Sequence, residues 1–451
     1  MKMEMKMRRF ALLFIFLLSI TYSFGGDYLT NTNQSIRYLR NPARGGTIGI
    51  DGVYYNPAGL SFLDNGWHFQ FNWQQPKQER TIKSSLGPLY AYNYLDPGTQ
   101  ESDGIYSKYF KGKVNIPIQP SIYLAYIQDG WAFQFGAGIL GGGGTCKFYD
   151  RGVPSFEDLL GSSAISRGYQ YSLKSKIEGE SYYYGITLGV SKKVTEKLSI
   201  SFGIRTIFAS NIYKGSVDQI TFRDNAGNIF NSSDQYVLHA KLDGVGFAPV
   251  IGVDYQPNRY LNLSAKYEFR TALHLKTSAK GNNETFNALA QTQPAFTKFL
   301  DGEKSRGDMP GLFSCGVQIS PIEKVRILGE FKHFFDKDAA QWSSEIVGNT
   351  NELLCGVEWD ITPKIEVSAG YQRTIYSQKE GNYSDLSFNL NGNSIGFGIG
   401  YKLSDCVTLN TGYFRTDYNR HKLDQPMGTL TSSKTFIRKS RVFGLGVDVK
   451  F

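Results

Sequence analysis

The feature that most constrains the fold of this 451-residue chain is a regular alternation between short tight turns and long polar loops. Short connections, such as residues 128–130, 256–259 and 360–364, join segments in which apolar and polar residues alternate. The other ends of these segments are joined by long stretches rich in Asn, Ser, Gly and Lys. Outer-membrane barrels have this layout because their periplasmic turns are short and their outer loops are long. The pattern therefore predicts a transmembrane β-barrel.

Within the segments, side chains alternate between an apolar and a polar face. In one of them the apolar set is Leu261, Leu263, Ala265, Tyr267 and Phe269, and the polar set is Asn262, Ser264, Lys266, Glu268 and Arg270. Charges of both signs cannot face lipid, so the second face is predicted to line a polar interior. About fourteen such strands lie between Trp67 and Phe451, an even number as single-chain barrels require. Their predicted starts lie near residues 67, 117, 130, 180, 196, 236, 258, 308, 323, 350, 364, 391, 406 and 436. The predicted fold is an all-β, antiparallel, up-and-down barrel.

The first 25 residues are predicted to be a secretory signal. Basic residues, including Arg8 and Arg9, precede an apolar run over 10–20 and then small residues ending at Gly25. The signal and the barrel together predict location in a bacterial outer membrane, with both termini in the periplasm. The terminal Phe451 closes an alternating strand, and we predict that this strand is recognised by the barrel-assembly machinery.

Composition excludes several classes of partner. The formal charge is +9, but no Lys/Arg cluster lies on a predicted helix, so the sequence does not indicate nucleic-acid binding. We expect the mildly basic surface to face outer-membrane lipid and lipopolysaccharide. The 29 Tyr and 31 Phe fit a lipid-facing band with aromatic girdles. Four Cys without metal-ligand spacing predict free thiols, no metal and no cofactor. They are Cys146, Cys315, Cys355 and Cys406.

The segment before the first strand does not alternate. Within it, residues 27–39 are predicted to include a short helix, followed by a Gly-rich stretch. A barrel of this size would otherwise enclose a channel or cavity, so we predict that the segment fills the lumen as a plug. The predicted division is a signal over 1–25, a plug over 26–63 and a barrel over 64–451.

A motif over 54–60, Tyr-Tyr-Asn-Pro-Ala-Gly-Leu, ends this segment. Pro57 fixes its own φ and pushes Asn56 into an extended conformation, and Asn56 can bond to neighbouring backbone groups. Ala58 and Gly59 follow, and Gly59 permits a sharp bend. The motif is predicted to be a stiff turn at the start of strand one, a moving gate, or both.

By this motif and by its layout, the chain resembles the FadL family of outer-membrane transporters for long-chain fatty acids and other hydrophobic compounds, aromatic hydrocarbons included. The resemblance implies fourteen strands, a lumen hatch containing Asn-Pro-Ala, a monomer, and transport without catalysis. It also implies capture of a hydrophobic small molecule at outer loops, passage through the plugged lumen, and lateral or hatch-gated release. Long-chain fatty acids are the expected substrate.

Lateral release needs a break in the pairing of the wall strands, and Gly or Pro supplies such breaks. The family has a kink in its third strand, where this chain carries Gly136 and Gly138. A second candidate for the kink is Pro249 in the predicted sixth strand. The alternative interpretation is that the glycines relieve crowding inside the barrel and that Pro249 occupies a bulge without functional consequence.

Candidate ligand contacts divide into apolar and cationic sets. The first comprises Tyr28, Ile36, Tyr38, Leu39, Tyr54 and Tyr55, and the second Arg205, Lys266 and Arg270. The cations are predicted to pair with a substrate carboxylate or, alternatively, with wall acids that hold the plug. Those acids are Glu268, Glu330, Glu358, Glu366 and Asp448. Apolar residues in the loops 152–160 and 285–300 predict a sticky entrance at the cell surface.

Three other classes of function stay open. A structural or adhesive barrel would use long loops without a hatch, and a general porin would lack a plug. An outer-membrane lipid hydrolase would need a nucleophile beside an inward His. His68 and His274 are predicted to face inward, but neither lies near a recognisable nucleophile motif. The sequence therefore predicts a protein that is not an enzyme.

Overall fold

The structure is a computed structural model. It describes residues 30–116, 118–339, 347–385, 388–427 and 430–451. The predicted signal over 1–25 and the predicted contact Tyr28 lie outside these residues. Within the described residues, no helix has both the length and the apolar character needed to cross a membrane.

Fourteen antiparallel strands form one closed sheet, which confirms the predicted strand number. They are β1 (Gly66–Leu86), β2 (Gln119–Gln128), β3 (Trp131–Phe148), β4 (Gln170–Lys193), β5 (Leu198–Arg223), β6 (Tyr236–Asn258), β7 (Leu261–Glu268), β8 (Leu312–Ile322), β9 (Val325–Phe334), β10 (Thr350–Asp360), β11 (Ile365–Ile375), β12 (Gly392–Lys402), β13 (Val407–Tyr418) and β14 (Leu430–Lys450). Each strand pairs with the next, and β14 closes on β1, with His68 opposite Lys450 and Leu86 opposite Ser432. Closure leaves the barrel without a free sheet edge.

The outward face of the barrel is apolar and the inward face is polar, as the alternation predicts. Phe247 and Leu188 are 65% and 60% exposed, although both are large apolar residues. On the same sheet, Asn262 and Ser394 are buried. An exposed apolar band of this extent is compatible with lipid rather than water.

The N-terminal segment, residues 30–63, contains α1 (Ile36–Arg40) and two 3₁₀ turns, Ile50–Val53 and Pro57–Phe62. The helix is shorter than the 27–39 predicted, because it begins only after Ser35. The Ser35 hydroxyl accepts a hydrogen bond from the backbone N–H of Tyr38, which caps the first turn.

Short helices and strands lie at the end of the barrel that carries the long loops, which is called the outer end. The helices are α2 (Pro154–Ile165), α3 (Glu284–Thr292) and α4 (Pro294–Thr297), with 3₁₀ turns at Leu89–Tyr92, Asp336–Asp338 and Glu380–Asn382. The additional strands are Thr99–Gln100, Tyr106–Asn115, Ile229–Asn231, His274–Ser278, Lys304–Arg306 and His421–Met427. Strand β4 begins at Gln170, ahead of the predicted start near 180, so the loop before it is shorter than predicted.

Candidate functional site

The barrel wall surrounds the N-terminal segment. Its helix α1 packs against β11 to β14 and β1, and its 3₁₀ turns pack against β1 to β7. The remaining strands, β8 to β10, contact residues 41–46. A short segment can touch all fourteen strands only from within the ring that they form. The segment therefore occupies the interior of the barrel.

Wall glycines let the segment approach the sheet closely. A Cβ atom placed on Gly316 of β8 would lie 2.3 Å from the backbone nitrogen of Gly46. One placed on Gly396 of β12 would lie 2.3 Å from the carbonyl oxygen of Leu39. Larger residues at these positions would push the segment away from the wall. The inward glycines of β8 and β12 thus serve packing of the segment.

Three arginines of the segment form ion pairs with acids of the wall. The pairs are Arg37 with Asp448 (2.7 Å), Arg40 with Glu366, and Arg44 with Glu358 (2.5 Å). The acids are among those predicted to form ion pairs, but the predicted partners were cations of the wall and not arginines of the segment. The spacing of the arginines could have indicated these pairs. They recur every three to four residues, as side chains on one face of a helix do, although Arg44 lies beyond the end of α1.

The Asn-Pro-Ala-Gly motif forms a capped turn fixed to the wall. Asn56 Oδ1 accepts a hydrogen bond from Gly59 N (3.2 Å), and Asn56 Nδ2 donates to Asp254 Oδ2 of β6 (2.5 Å). The carbonyls of Pro57 and Ala58 accept bonds from side chains of β3 and β5. The structure therefore has the tight turn that the motif predicts, and its use as a gate stays a prediction.

Asp254 holds the motif, and no sequence pattern predicted this contact. It is fully buried, and its Oδ2 atom also accepts a hydrogen bond from Asn262 Nδ2 (2.9 Å). Among the described residues its hydrogen-bond partners are these two side-chain amides, from Asn56 and Asn262. Burying a carboxylate costs free energy unless hydrogen bonds compensate it, and here the two amides supply those bonds. Asp254 thus anchors the motif from 198 residues away in sequence.

The predicted tyrosines lie together in the interior. The ring of Tyr55 stacks on Tyr38 (5.7 Å between centroids) and meets Tyr54 edge-on (4.9 Å). Arg205 and Lys266 lie over the Tyr54 ring, at 4.9 and 4.7 Å from its centroid. These five of the predicted contacts form one group, called the tyrosine cluster.

Three other predicted contacts lie elsewhere. Ile36 and Leu39 pack on the wall glycine Gly444 of β14, away from Tyr54. Arg270 is not part of the cluster: its guanidinium is 44% exposed, and it donates to the carbonyl of Asp338 (2.5 Å). Arg270 lies two residues beyond the end of β7, so the alternation between inward and outward side chains no longer applies to it.

A continuous apolar cluster connects the tyrosine cluster to the outer helices α3 and α4. It includes Phe286 and Phe299 in the outer loop, Leu242, Ile207 and Tyr183 of the wall, and Leu140 of β3, and it is called the apolar column. Phe296 and Leu300 pack against its outer end and are partly buried. The predicted apolar loop 285–300 therefore lies at one end of an apolar column that reaches into the barrel.

The second predicted capture loop, 152–160, belongs to a separate apolar cluster. Its Phe156 and Leu160 pack against a group that includes Phe388 and Phe436. Polar contacts fix this loop as well, because Lys434 pairs with Asp158 of α2 (3.3 Å) and with Asp385 (3.0 Å). Burial raises the pKa of Asp158 to about 6, although the Lys434 ammonium lowers it. The two predicted capture loops therefore differ, because only the loop 285–300 belongs to the apolar cluster that contains the tyrosine rings.

The wall is irregular in strand β3. Pairing of β2 with β3 ends at Ser121 opposite Gly138, and pairing of β3 with β4 shifts register twice between Ile139 and Gly144. Gly136 and Gly138, the predicted kink, keep regular register on both sides, so the irregularity begins one residue later. Beyond it, β3 pairs briefly with Tyr106–Asn115 instead of β2. That replacement could not be foreseen from the glycines alone.

The N-terminal segment lies against this break in the wall. Asn31 N donates to the carbonyl of Leu140 (2.8 Å), and Gln34 Nε2 donates to the carbonyl of Ile139 (2.7 Å). The segment thus satisfies backbone acceptors of β3 where β2 no longer pairs with it.

Pro249, the other predicted kink, does not disturb its pairing with β5, where it lies opposite Ile204 in continuous register. On the other side, the ladder with β7 ends next to it, at Val250 opposite Glu268. Pro249 lacks an N–H group, so it marks the end of a ladder without forming a bulge.

The histidines considered for a hydrolase have structural contacts. The Nε2 atom of His68 lies 2.8 Å from the carbonyl oxygen of Asp64. His274 is exposed beside Arg306 (3.0 Å), which contradicts its predicted inward position. None of the four cysteines forms a disulfide, in agreement with the prediction. The described residues contain no group of three His, Cys, Asp or Glu arranged to hold a metal ion.

Solved structures with the same fold include a FadL homologue and two toluene transporters. A Pseudomonas aeruginosa FadL homologue has 14% identity and a TM-score of 0.67, covering 94% of this chain and 99% of its own. The P. putida toluene transporter TodX has 13% identity and a TM-score of 0.58, with 90% and 95% covered. The Ralstonia pickettii toluene transporter TbuX has 13% identity and a TM-score of 0.51, with 91% and 97% covered. No protein-family model matches the chain, and no curated protein matches its sequence. The fold thus agrees with the resemblance drawn from the motif.

Proposed function

We propose that this protein carries hydrophobic small molecules across the bacterial outer membrane. The observation that carries the proposal is the apolar column between α3 and Leu140, which ends beside the break in β3. A hydrophobic molecule captured at the outer helices would follow this column and leave laterally at the break, once residues 30–34 release the carbonyls there. The N-terminal segment is the plug in this scheme, and the turn at Asn56 and Pro57 is its hinge to the wall.

Two substrate classes fit the column. The sequence predicts long-chain fatty acids, and two of the structures that share the fold are described as toluene transporters. An open porin is disfavoured because the N-terminal segment occupies the interior of the barrel. An adhesive barrel would have no use for an apolar column that ends at a break in its wall.

The proposal is tested by uptake into cells that lack their own transporter of this kind. Labelled fatty acid and labelled toluene are supplied separately, and folding of the expressed protein is verified by its heat-dependent shift on a gel. We expect saturable uptake of at least one compound. The double variant Asn56→Ala/Pro57→Ala should lose most of this uptake, because it removes the cap and the hinge of the turn. Asn225→Ala, in an exposed outer turn, is the matched control. Uptake equal to that of the empty strain for both compounds would refute the proposal.

The unequal outer loops give a prediction about the entrance. Phe286→Ser/Phe299→Ser should reduce uptake at low substrate concentration by about tenfold, because two buried aromatic rings at the outer end of the column are lost. Phe156→Ser/Leu160→Ser removes comparable apolar area from the separate cluster and should leave uptake nearly unchanged. Initial uptake rates over a range of concentrations distinguish the two. A larger loss in the second variant would place the entrance at α2 instead.

A further inference from the structure

The charges around the tyrosine cluster bear on the kind of molecule that the interior accepts. Three buried cations lie beside the rings: Arg205, Lys266 and Lys332. The ammonium of Lys332 lies 5.1 Å from the centroid of Tyr38 and 5.9 Å from that of Tyr55. Cations in such positions are the groups that would receive a carboxylate at the end of an apolar chain.

Each of these cations already has a partner. Arg205 forms a buried ion pair with Glu268, and its Nε atom donates to Thr187 Oγ1 (3.0 Å). Lys266 Nζ donates to the carbonyl of Tyr54 (2.6 Å). The third cation, Lys332, lies between Glu330 and Glu352. Together with Glu268, these make three buried acids for three buried cations.

The contacts of Lys332 are loose but electrically balanced. Its Nζ atom lies 3.6 Å from Glu330 and 3.8 Å from Glu352, beyond hydrogen-bonding distance. Within the described residues, Lys332 Nζ, Glu330 Oε1, Glu352 Oε2 and Arg205 Nη2 have no hydrogen-bond partner. Donors and acceptors therefore remain side by side, which suits an uncharged hydroxyl group that can both donate and accept. An ester carbonyl can accept from the donors, and it brings no charge.

A carboxylate would meet a different situation. Bringing a second negative charge to Arg205 or Lys332 means placing it next to Glu268, Glu330 or Glu352 in a buried environment. An unbalanced charge there is costly because the surroundings cannot solvate it as water does. An uncharged ligand of the same chain length avoids this penalty.

We infer that the interior site selects uncharged hydrophobic molecules over carboxylates of the same length, and that Glu268 is a specificity-determining residue. This inference rests on the proposed transport function and specifies its substrate class. Of the two interpretations that the sequence left open for these cations, it favours pairing with wall acids, as Arg205 does with Glu268, over pairing with a substrate carboxylate.

The test is competition for the purified full chain, with tritiated hexadecanol as the uncharged probe. Unlabelled methyl palmitate and palmitate compete at pH 9, where the free acid is ionised. We expect methyl palmitate to compete at a concentration at least about tenfold lower than palmitate. In Glu268→Gln, Arg205 loses its acidic partner. Palmitate should then compete at a concentration at least about tenfold lower than with the wild type, while the competing concentration of methyl palmitate stays constant. Glu196→Gln, whose acid is 92% exposed on a periplasmic turn, is the matched control and should keep the wild-type ratio.

The outcomes separate the inference from the function on which it rests. If palmitate competes as well as methyl palmitate with the wild type, the inference is wrong while the proposed function stands. If the wild type binds hexadecanol without saturation, the proposed function itself fails. If Glu268→Gln does not fold, Glu352→Gln takes its place by removing one of the two acids beside Lys332. A ratio unchanged in the folded variants would also overturn the role of these acids.

Discussion

Deleting residues 27–60 is expected to raise the influx of small hydrophilic solutes by at least about tenfold, because a fourteen-stranded ring without its interior segment encloses a water-filled channel. The segment contacts every strand of the barrel, and its three arginines pair with acids of the wall, so little else remains to fill the space. The same deletion should abolish saturable uptake of hydrophobic compounds. Swelling of proteoliposomes in a sugar solution measures the first effect, and uptake into cells measures the second.

Shortening the exposed outer turn at 224–228 is the control for this deletion, because it removes residues that do not reach the interior. Heat-dependent mobility on a gel must show that both variants form barrels. A folded deletion variant that stays impermeable to sugars would contradict the assignment of the segment as a plug.

Replacing Asp254 by Leu is expected to loosen the Asn-Pro-Ala-Gly turn. The side-chain amides of Asn56 and Asn262 would lose a shared buried acceptor, which costs roughly 1–3 kcal/mol for each unsatisfied donor. Only the Asn56 donor belongs to the turn, so opening of the turn should become about 5- to 140-fold more frequent. Hydrogen exchange of backbone amides over 45–62 in the purified protein measures this change directly. Uptake should fall as well, since the hinge no longer holds one position.

Asp254→Asn provides a control of nearly identical shape. Its side-chain oxygen can still accept from both amides, so exchange over 45–62 should stay close to that of the wild type. Equal acceleration in both variants would show that the negative charge, rather than the acceptor, holds the turn. Unchanged exchange in Asp254→Leu would show that the close contacts on the wall glycines suffice.

The barrel itself was predictable because its determinants are local. Alternation is a relation between residues i and i+2, and a short turn is a property of three to five consecutive residues. The starts of seven strands therefore agree with prediction to within a residue, namely β1, β3, β6, β10, β11, β12 and β13. The short plug helix was overestimated, because its capping residue Ser35 lies inside the predicted span.

Local sequence patterns suffice to predict a fourteen-stranded barrel with a non-strand segment ahead of it, ended by a capped turn. Which residues hold that segment, and where the wall breaks, became clear from the three-dimensional structure. Asn56 meets Asp254 across 198 residues of sequence, and Arg37 meets Asp448 across 411. Such pairs depend on the register and closure of the whole sheet, and no local pattern specifies them. The break in β3 likewise depends on where β2 stops and Tyr106–Asn115 takes its place, which is a property of three strands together.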